Sequence, residues 1–434
     1  MTGASAPSRP ALKRELGLLQ VTAAGVGIIL GAGIYALIGE AAGLAGNAVW
    51  LAFAFSALVA LLTCFSYAEL SSMYPRAAAE YEYTRAGFGP GAAFLIGWLI
   101  IFSGVVGAAT VAIAFSGYFQ ALVPWPPVIS AVGIILVLAG ILLYGIRETA
   151  WLAISFTAVE AGGLVAIIIA GIPFWGSVNY LEMPLGVGGL FSAAALVFFA
   201  FMGFEEMVKF ADETREPSRV IPRALLLAIG ICILLYVVVS LSAVSVVGYE
   251  ALSASDAPFV TVAGAAWGAD ASAIISIVAL FATSNTVLLM LLAASRITYG
   301  MASAGSLPER VAFVHPERRT PWVAVLGVSL AAVFFTIPGD LGLVANVTNF
   351  LLFVTFLVIN ATVIVLRYKN PDQERPFRIP LAIGRLPLLP ILGILASLFM
   401  IAQLTLPVIE LGVAIMVIGG LIAWFFRKKS VIPA

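Results

Sequence analysis

Histidine occurs once in the 434 residues and cysteine twice, and Asp, Glu, Lys and Arg together make up only 10%. Each scarcity excludes a kind of chemistry. The lone His315 lies in a loop among Glu317, Arg318 and Arg319, so no Ser/His/Asp set can assemble around it. No group of His, Cys, Asp and Glu has metal-ligand spacing. Cys64 and Cys232 fall inside apolar stretches and read as small buried apolar residues. With nucleophile, base and metal set all missing, an enzyme is not expected. Neither a cofactor nor a nucleic-acid partner is called for.

What is abundant is apolar surface. The chain is 62% hydrophobic, with a mean hydropathy of +1.10. One soluble core of this size cannot hide so much, so the expected solvent is lipid. Lys and Arg are absent from 15–75, 86–146, 148–208, 224–295, 320–366 and 386–426. A span takes roughly 20 apolar residues, so each block accommodates two spans and the turn between them. Turn signals lie near the middle of each: AGN at 45–47, VPWPP at 123–127, GIPFWGSVNYLEMPLG at 171–186, GYEALSASDAP at 248–258, IPGD at 337–340 and LTLP at 404–407. Six hairpins make twelve helices. Every basic cluster then falls on one side, from Lys13-Arg14 to Arg427-Lys428-Lys429, and the positive-inside rule makes that side the cytoplasm, with both termini there. MTGASAPSRP at the start reads as a short polar tail and not as a cleaved signal.

The turn signals predict helices at 17–43, 47–72, 91–120, 127–145, 149–172, 187–211, 222–247, 271–302, 321–338, 341–366, 386–405 and 407–427. The loops 248–270 and 303–320 each have room for one short surface helix. The expected organisation is a tail (1–16), a first five-helix repeat (17–172), a second (187–366), two peripheral helices (386–427) and a tail (428–434).

Two predicted helices are built to come apart. GVGIILGAGIYALIGE (25–40) holds Gly25, Gly27, Gly31, Gly33 and Gly39, and each glycine inside a helix costs about 1 kcal/mol relative to alanine. LVFFAFMGFEEMVKF (196–210) has Gly203 followed at once by Glu205 and Glu206, then Lys209. These are the first helix of the first five and the first helix of the second five. Interrupted segments at corresponding places in two halves point to a transporter built from inverted repeats. Opened backbone at membrane depth has to line a cavity or face protein. The N-terminus of the second half-helix suits a carboxylate, and the free carbonyls ending the first half suit an ammonium. A broken helix can therefore read both charges of an α-amino acid. The plain alternative is a small-residue packing face, for which Gly27 and Gly31 have the spacing.

At this point the residues resemble a family. GVGIILGAGIYALIGEAAG is similar to the first helix of amino acid–polyamine–organocation (APC) transporters, with its G-x-G-I-[FY] pattern. FMGFEEMVKFADETREPSRVIPRAL (201–225) resembles their sixth helix and following loop, through Glu213, Pro217, Arg219, Ile221, Pro222 and Ala224. SRITYGMASAGSLPERVAFVHPERRTP (295–321) resembles the exit of their eighth helix, with Ala304 where an Asp commonly precedes the glycine. CFSYAELSSMYPRAAAEYEYTRAGFG (64–89) matches the loop between helices 2 and 3, with alanines where glycines are usual. The four motifs occur in the family's order and span essentially the whole chain.

The resemblance implies an all-α integral membrane protein of twelve transmembrane helices. Helices 1–5 and 6–10 form two inverted repeats with helices 1 and 6 broken, helices 11 and 12 are peripheral, and substrate lies between helices 1, 3, 6 and 8. It implies that Gly31, Ala32 and Gly33 offer N–H groups to a substrate carboxylate, and that carbonyls near Ile28, Ile29, Phe199 and Ala200 receive its ammonium. Phe199 would cover the substrate and Met202 line the side-chain pocket; for both, ordinary core packing is the alternative. Asn285 and Ser284 would face the breaks, or merely bridge helices.

No carboxylate falls among those positions, and an unpaired charge at that depth costs several kcal/mol, so small neutral or apolar amino acids are the expected substrates. Glu160 lies ~13 residues into the fifth predicted helix, or about 20 Å along it, near mid-membrane. The resemblance implies a lysine near this point, which many sodium-independent members carry in place of a cation. The carboxylate here leaves three readings: a proton carrier, a cation ligand together with Thr283 and Ser284, or a structural hydrogen bond. Glu205 belongs either to an inner gate or to an intrahelical pair with Lys209 at i+4. The expected function is secondary active amino acid transport by alternating access, with proton-coupled uptake preferred. An exchanger without ion coupling, an amine or polyamine antiporter, and a membrane amino acid sensor are the alternatives.

Overall fold

The computed structural model describes residues 15–75, 79–144 and 146–427. The basic pairs Lys13-Arg14 and Lys428-Lys429, and nearly all of both expected tails, lie outside them. Glu15 and Leu16, assigned to the first tail, pair with the stretch at 213–215: the Leu16 N–H donates to Glu213 O at 3.0 Å and the Arg215 N–H to Leu16 O at 2.9 Å.

The chain is helical nearly throughout. The first predicted helix is two, α1 (Leu18–Leu30) and α2 (Gly33–Ala45). Gly46 ends α2 at φ 66°, a left-handed backbone that glycine adopts without strain. Asn47 then fastens the turn, its Nδ2 donating to the Glu182 carboxylate (2.7 Å) and its Oδ1 accepting the Tyr249 N–H (3.0 Å). There follow α3 (Val49–Met73), the short α4 (Ala79–Phe88), α5 (Pro90–Gln120), α6 (Pro127–Tyr144), α7 (Ile146–Gly171) and α8 (Gly186–Val197). A 3-10 turn at Phe198–Phe201 and another 3-10 stretch at Phe204–Glu213 complete the sixth predicted helix. Then come α9 (Pro217–Ser253), α10 (Pro258–Trp267), α11 (Ala269–Ser303), α12 (Trp322–Thr336), α13 (Leu341–Lys369), α14 (Leu388–Ala402) and α15 (Leu406–Arg427). All twelve predicted helices have a counterpart.

The differences have local causes. α9 starts five residues ahead of its predicted start at Pro222, because Pro217 takes the first helical position and a proline so near the start removes only one helical bond. α4 forms in a stretch read as loop: it is amphipathic, burying Ala79, Glu80, Tyr83 and Thr84 while Arg85 stays exposed. Helix α10 fills the loop that had room for one, whereas the 303–320 loop holds only a 3-10 turn at Glu309–Ala312.

Among the described residues, nine segments are long and apolar enough to cross a membrane, one of them taking in α2, the turn at 46–48 and α3. Their outer faces carry large apolar side chains such as Val137, Val165, Leu234 and Ile274. Water would penalise such a belt, and lipid tails would not. Packing is densest between α5 and α11 and between α3 and α9, with α1 and α2 held against α9 and α8. α14 and α15 lie outside, against α3, α5 and α13, and α15 exposes Val417, Leu421 and Trp424.

One ionic knot lies in this interior. Glu69, near the end of α3, is 1% exposed. It accepts from Arg367 of α13, Nε to Oε1 at 2.9 Å and Nη2 to Oε2 at 2.5 Å, and from the Ile379 N–H at 2.9 Å. Arg375 Nε is 3.3 Å from Oε1. The knot ties α3, α13 and the 370–379 connection together.

Candidate functional site

The first break is a real gap in the ladder. Leu30 ends α1, Gly31 has ψ 171°, and α2 restarts at Gly33. The Ala32 N–H, which an intact helix would direct to Ile28 O, donates instead to Thr286 Oγ1 of α11 at 2.7 Å. At the end of α1 the Tyr236 hydroxyl lies 2.6 Å from Ile29 O and 2.9 Å from Leu30 O, positioned to donate to either carbonyl. The family-implied ammonium acceptor at Ile29 therefore already has a protein donor, and the Ile28 carbonyl faces the second break.

The second break follows Phe201. Met202 is extended, with ψ 147°, and Gly203 is left-handed at φ 110°. A Cβ on Gly203 would sit 3.0 Å from Ile28 O, and one on Gly33 would fall 2.5 Å from Ala200 Cα. The two breaks thus abut backbone to backbone, which only glycine permits at both points. Gly25 and Gly27 do other work: they seat Met207 and Thr157, respectively. The glycine cluster thus both opens the backbone and seats packed side chains. Phe199 is buried and its ring packs over Gly107 of α5, with Met290 of α11 alongside. Met202 and Ile28 are half-buried and Ala200 is buried.

Helices α1, α7 and α11 meet beside the first break. Asn285 Nδ2 donates to Thr157 Oγ1 at 3.0 Å, one turn below Glu160 on α7. Glu160 is 0% exposed. Asn285 is the neighbouring polar side chain, and among the described residues neither carboxyl oxygen nor Asn285 Oδ1 has a hydrogen-bond partner. A buried acceptor without a donor is costly. Thr283, the proposed co-ligand, donates to Ala279 O of its own helix at 2.7 Å, and its neighbour Ser284 is buried.

Glu205 does not pair with Lys209. Its Oε2 accepts the Gly203 N–H at 2.9 Å and so caps the second break, while Lys209 binds Glu206 at 2.5 Å. The 3-10 winding explains the change, since three residues per turn brings i+3 and not i+4 into register. Glu80 of α4 faces the same lysine: burial pushes its carboxyl above the usual carboxylate range, and the Lys209 ammonium pulls it partly back.

Residues 16–426 match the amino acid permease family. The chain belongs to that family. A branched-chain amino acid permease of Bacillus subtilis is 31% identical over 98% of this chain and 96% of its own length. A methylthioribose transporter of the same organism is 31% identical over 97% and 95%. Cationic amino acid transporter 4 of Homo sapiens is 30% identical over 83% of this chain and 60% of its own. The protein is a transporter spanning the membrane many times, not an enzyme.

Several residues of this permease's site escaped the sequence reading. Thr286 follows Asn285 directly, and a hydroxyl one position beyond a flagged amide on a membrane helix was the available signal. Tyr35 and Tyr118 brace the break from the other side: Tyr35 donates to Glu160 O at 2.8 Å and Tyr118 to Tyr35 O at 2.8 Å. In sequence these are ordinary membrane tyrosines. Only the fold turns their hydroxyls onto carbonyls of α7 and α2 beside the break.

Proposed function

We propose that this permease takes up neutral amino acids across the cell membrane by alternating access, driven by protons, with both termini in the cytoplasm. The observation that carries the reading is the abutment of two opened helices, at Gly33 against Ala200 and at Gly203 against Ile28 O. Such a pair offers helix N-terminal N–H groups to a carboxylate and bare carbonyls to an ammonium. Gly31, Ala32 and Gly33 take the first role in this proposal, and carbonyls at Ile28 and Ala200 the second. Residues 17–172 and 187–366 act as the two inverted halves, one rocking against the other around the fixed breaks.

The side-chain end is read by Phe199 and Met202. None of the residues given to the site is a carboxylate, Glu205 turns its Oε2 onto the Gly203 N–H, and the branched-chain permease relative supports an apolar preference. Glu160 carries the proton: an O–H there is a donor, and Asn285 Oδ1 is an acceptor without a partner among the described residues.

Uptake of labelled amino acids into proteoliposomes, without sodium and with or without an inward proton gradient, tests this. Leucine, isoleucine, valine or alanine should accumulate only with the gradient. Uptake confined to vesicles preloaded with amino acid, indifferent to the gradient, would make the protein an exchanger.

Thr286→Val gives a separate check of the carboxylate end. It strands the Ala32 N–H in the empty site, at about 1–3 kcal/mol. The empty variant should melt lower than wild type, with a larger rise in Tm on adding substrate and a lower KM. A raised KM would mean that the Thr286 hydroxyl holds the substrate itself.

A further inference from the structure

At the arginine-rich end of the protein, α6 and the loop before α12 border an open cleft of about 400 Å³, lined by Gly140, Leu143, Tyr144, His315, Arg318, Thr320 and Trp322. It lies away from both helix breaks, and nothing in the transport reading uses it. Three features make it a built site. The loop is fastened in place: Thr320 is buried and its Oγ1 donates to Leu143 O at 3.2 Å, while the His315 N–H donates to Thr320 O at 2.8 Å. The Arg318 guanidinium stacks 4.1 Å from the centre of the Tyr144 ring, and the Arg318 backbone N–H donates to His315 Nδ1 at 3.3 Å. That guanidinium forms no ion pair among the described residues, although Glu317 is adjacent in sequence and Glu309 lies in the same loop. Its five donors are fixed in direction and unused.

The surroundings identify the kind of ligand. Tyr144 and Trp322 are both substantially exposed, at 55% and 41%, and they stand at the ends of α6 and α12, where amphipathic rings mark the boundary between tails and headgroups. Phe313 and Val314 are exposed beside them. A soluble anion needs the guanidinium and not this apolar rim. A lipid needs both, since its phosphate meets a fork of N–H donors while its chains lie along Leu143 and Trp322.

We infer that this cleft binds the phosphodiester headgroup of an anionic phospholipid from the adjoining leaflet, with Arg318 as the phosphate ligand, Tyr144 as its orienting platform and His315 at the edge. The site joins α6 to the α11–α12 connection, so an occupant adds to the Thr320 hydrogen bond and the Arg318–Tyr144 contact between them.

The test uses the full-length protein purified in detergent, with native mass spectrometry and thermal unfolding as readouts. The probes are phosphatidylglycerol, phosphatidylcholine and sn-glycerol 3-phosphate. Wild type should retain phosphatidylglycerol and gain in Tm from it, but not from phosphatidylcholine. Arg318→Ala should retain about fivefold less, the factor set by ~1 kcal/mol per basic residue near an anionic surface. Tyr144→Leu keeps the apolar rim but frees the guanidinium, and should lose an intermediate amount. Both side chains are exposed, so both variants should fold, and basal uptake into phosphatidylcholine vesicles checks that they do. Equal retention by wild type and both variants would overturn the site. Equal stabilisation by glycerol phosphate would overturn the lipid as its occupant.

Discussion

Glu160→Gln should abolish accumulation against a gradient while leaving substrate exchange intact. For one proton per substrate, wild type should concentrate its amino acid about tenfold per pH unit of gradient, one unit being ~1.36 kcal/mol; the variant should come to the same concentration inside and out. Glutamine is the informative replacement because it matches the volume of glutamic acid and permanently supplies N–H donors. Asn285 Oδ1, unpartnered beside Glu160, can accept from it. The fold around Thr157 and Gly27 then has no reason to collapse, and counterflow of labelled substrate between preloaded vesicles should persist. A variant that still accumulates substrate would remove Glu160 from the coupling and leave it the structural role also weighed for it. Loss of counterflow together with accumulation would show that the carboxyl holds the helices, not the proton.

The second large effect is expected at Glu69. Glu69→Leu leaves Arg367, 3% exposed, without its carboxylate, and removing one partner of a buried pair costs roughly 3–5 kcal/mol. The Ile379 N–H and Arg375 lose an acceptor at the same time. In detergent the variant should melt about 5–10 °C lower and yield less monodisperse protein. Adding Arg367→Leu should restore part of the loss, since an apolar pair of similar volume avoids the desolvation cost of a buried charge. A single variant as stable as wild type would mean that water reaches the knot. Substrate affinity should hardly change in either, because the knot lies away from the breaks.

What could be read from the sequence follows from what lipid imposes. Spans were legible because the bilayer empties them of Lys and Arg, so the charge-free blocks outline the hairpins whatever the packing. The breaks were legible because Gly31, Gly33 and Gly203 are costly in helices and need a reason. The partners of the opened backbone were not. Thr286 lies 254 positions from Ala32, and Arg367 lies 298 from Glu69; no local rule links such residues, and serine, threonine and tyrosine are common in membrane helices. Of the two readings of Glu205, the i+4 pair with Lys209 fails because the chain winds there as 3-10 and brings Glu206 into register instead.

The Thr286 hydroxyl on Ala32 gives the empty site an internal ligand. For a carboxylate substrate, occupation at this donor is a swap, in which a neutral bond worth about 0.5–1.5 kcal/mol gives way to a charge-assisted one worth about 1.5–3 kcal/mol. The net gain at this donor is then near 1 kcal/mol and depends on the charge of the newcomer. An amide or ester of the same amino acid brings only another neutral acceptor, so the swap returns nothing and the hydroxyl stays. A residue that never touches the side chain of the substrate would thereby make the permease a selector of acids over their uncharged derivatives.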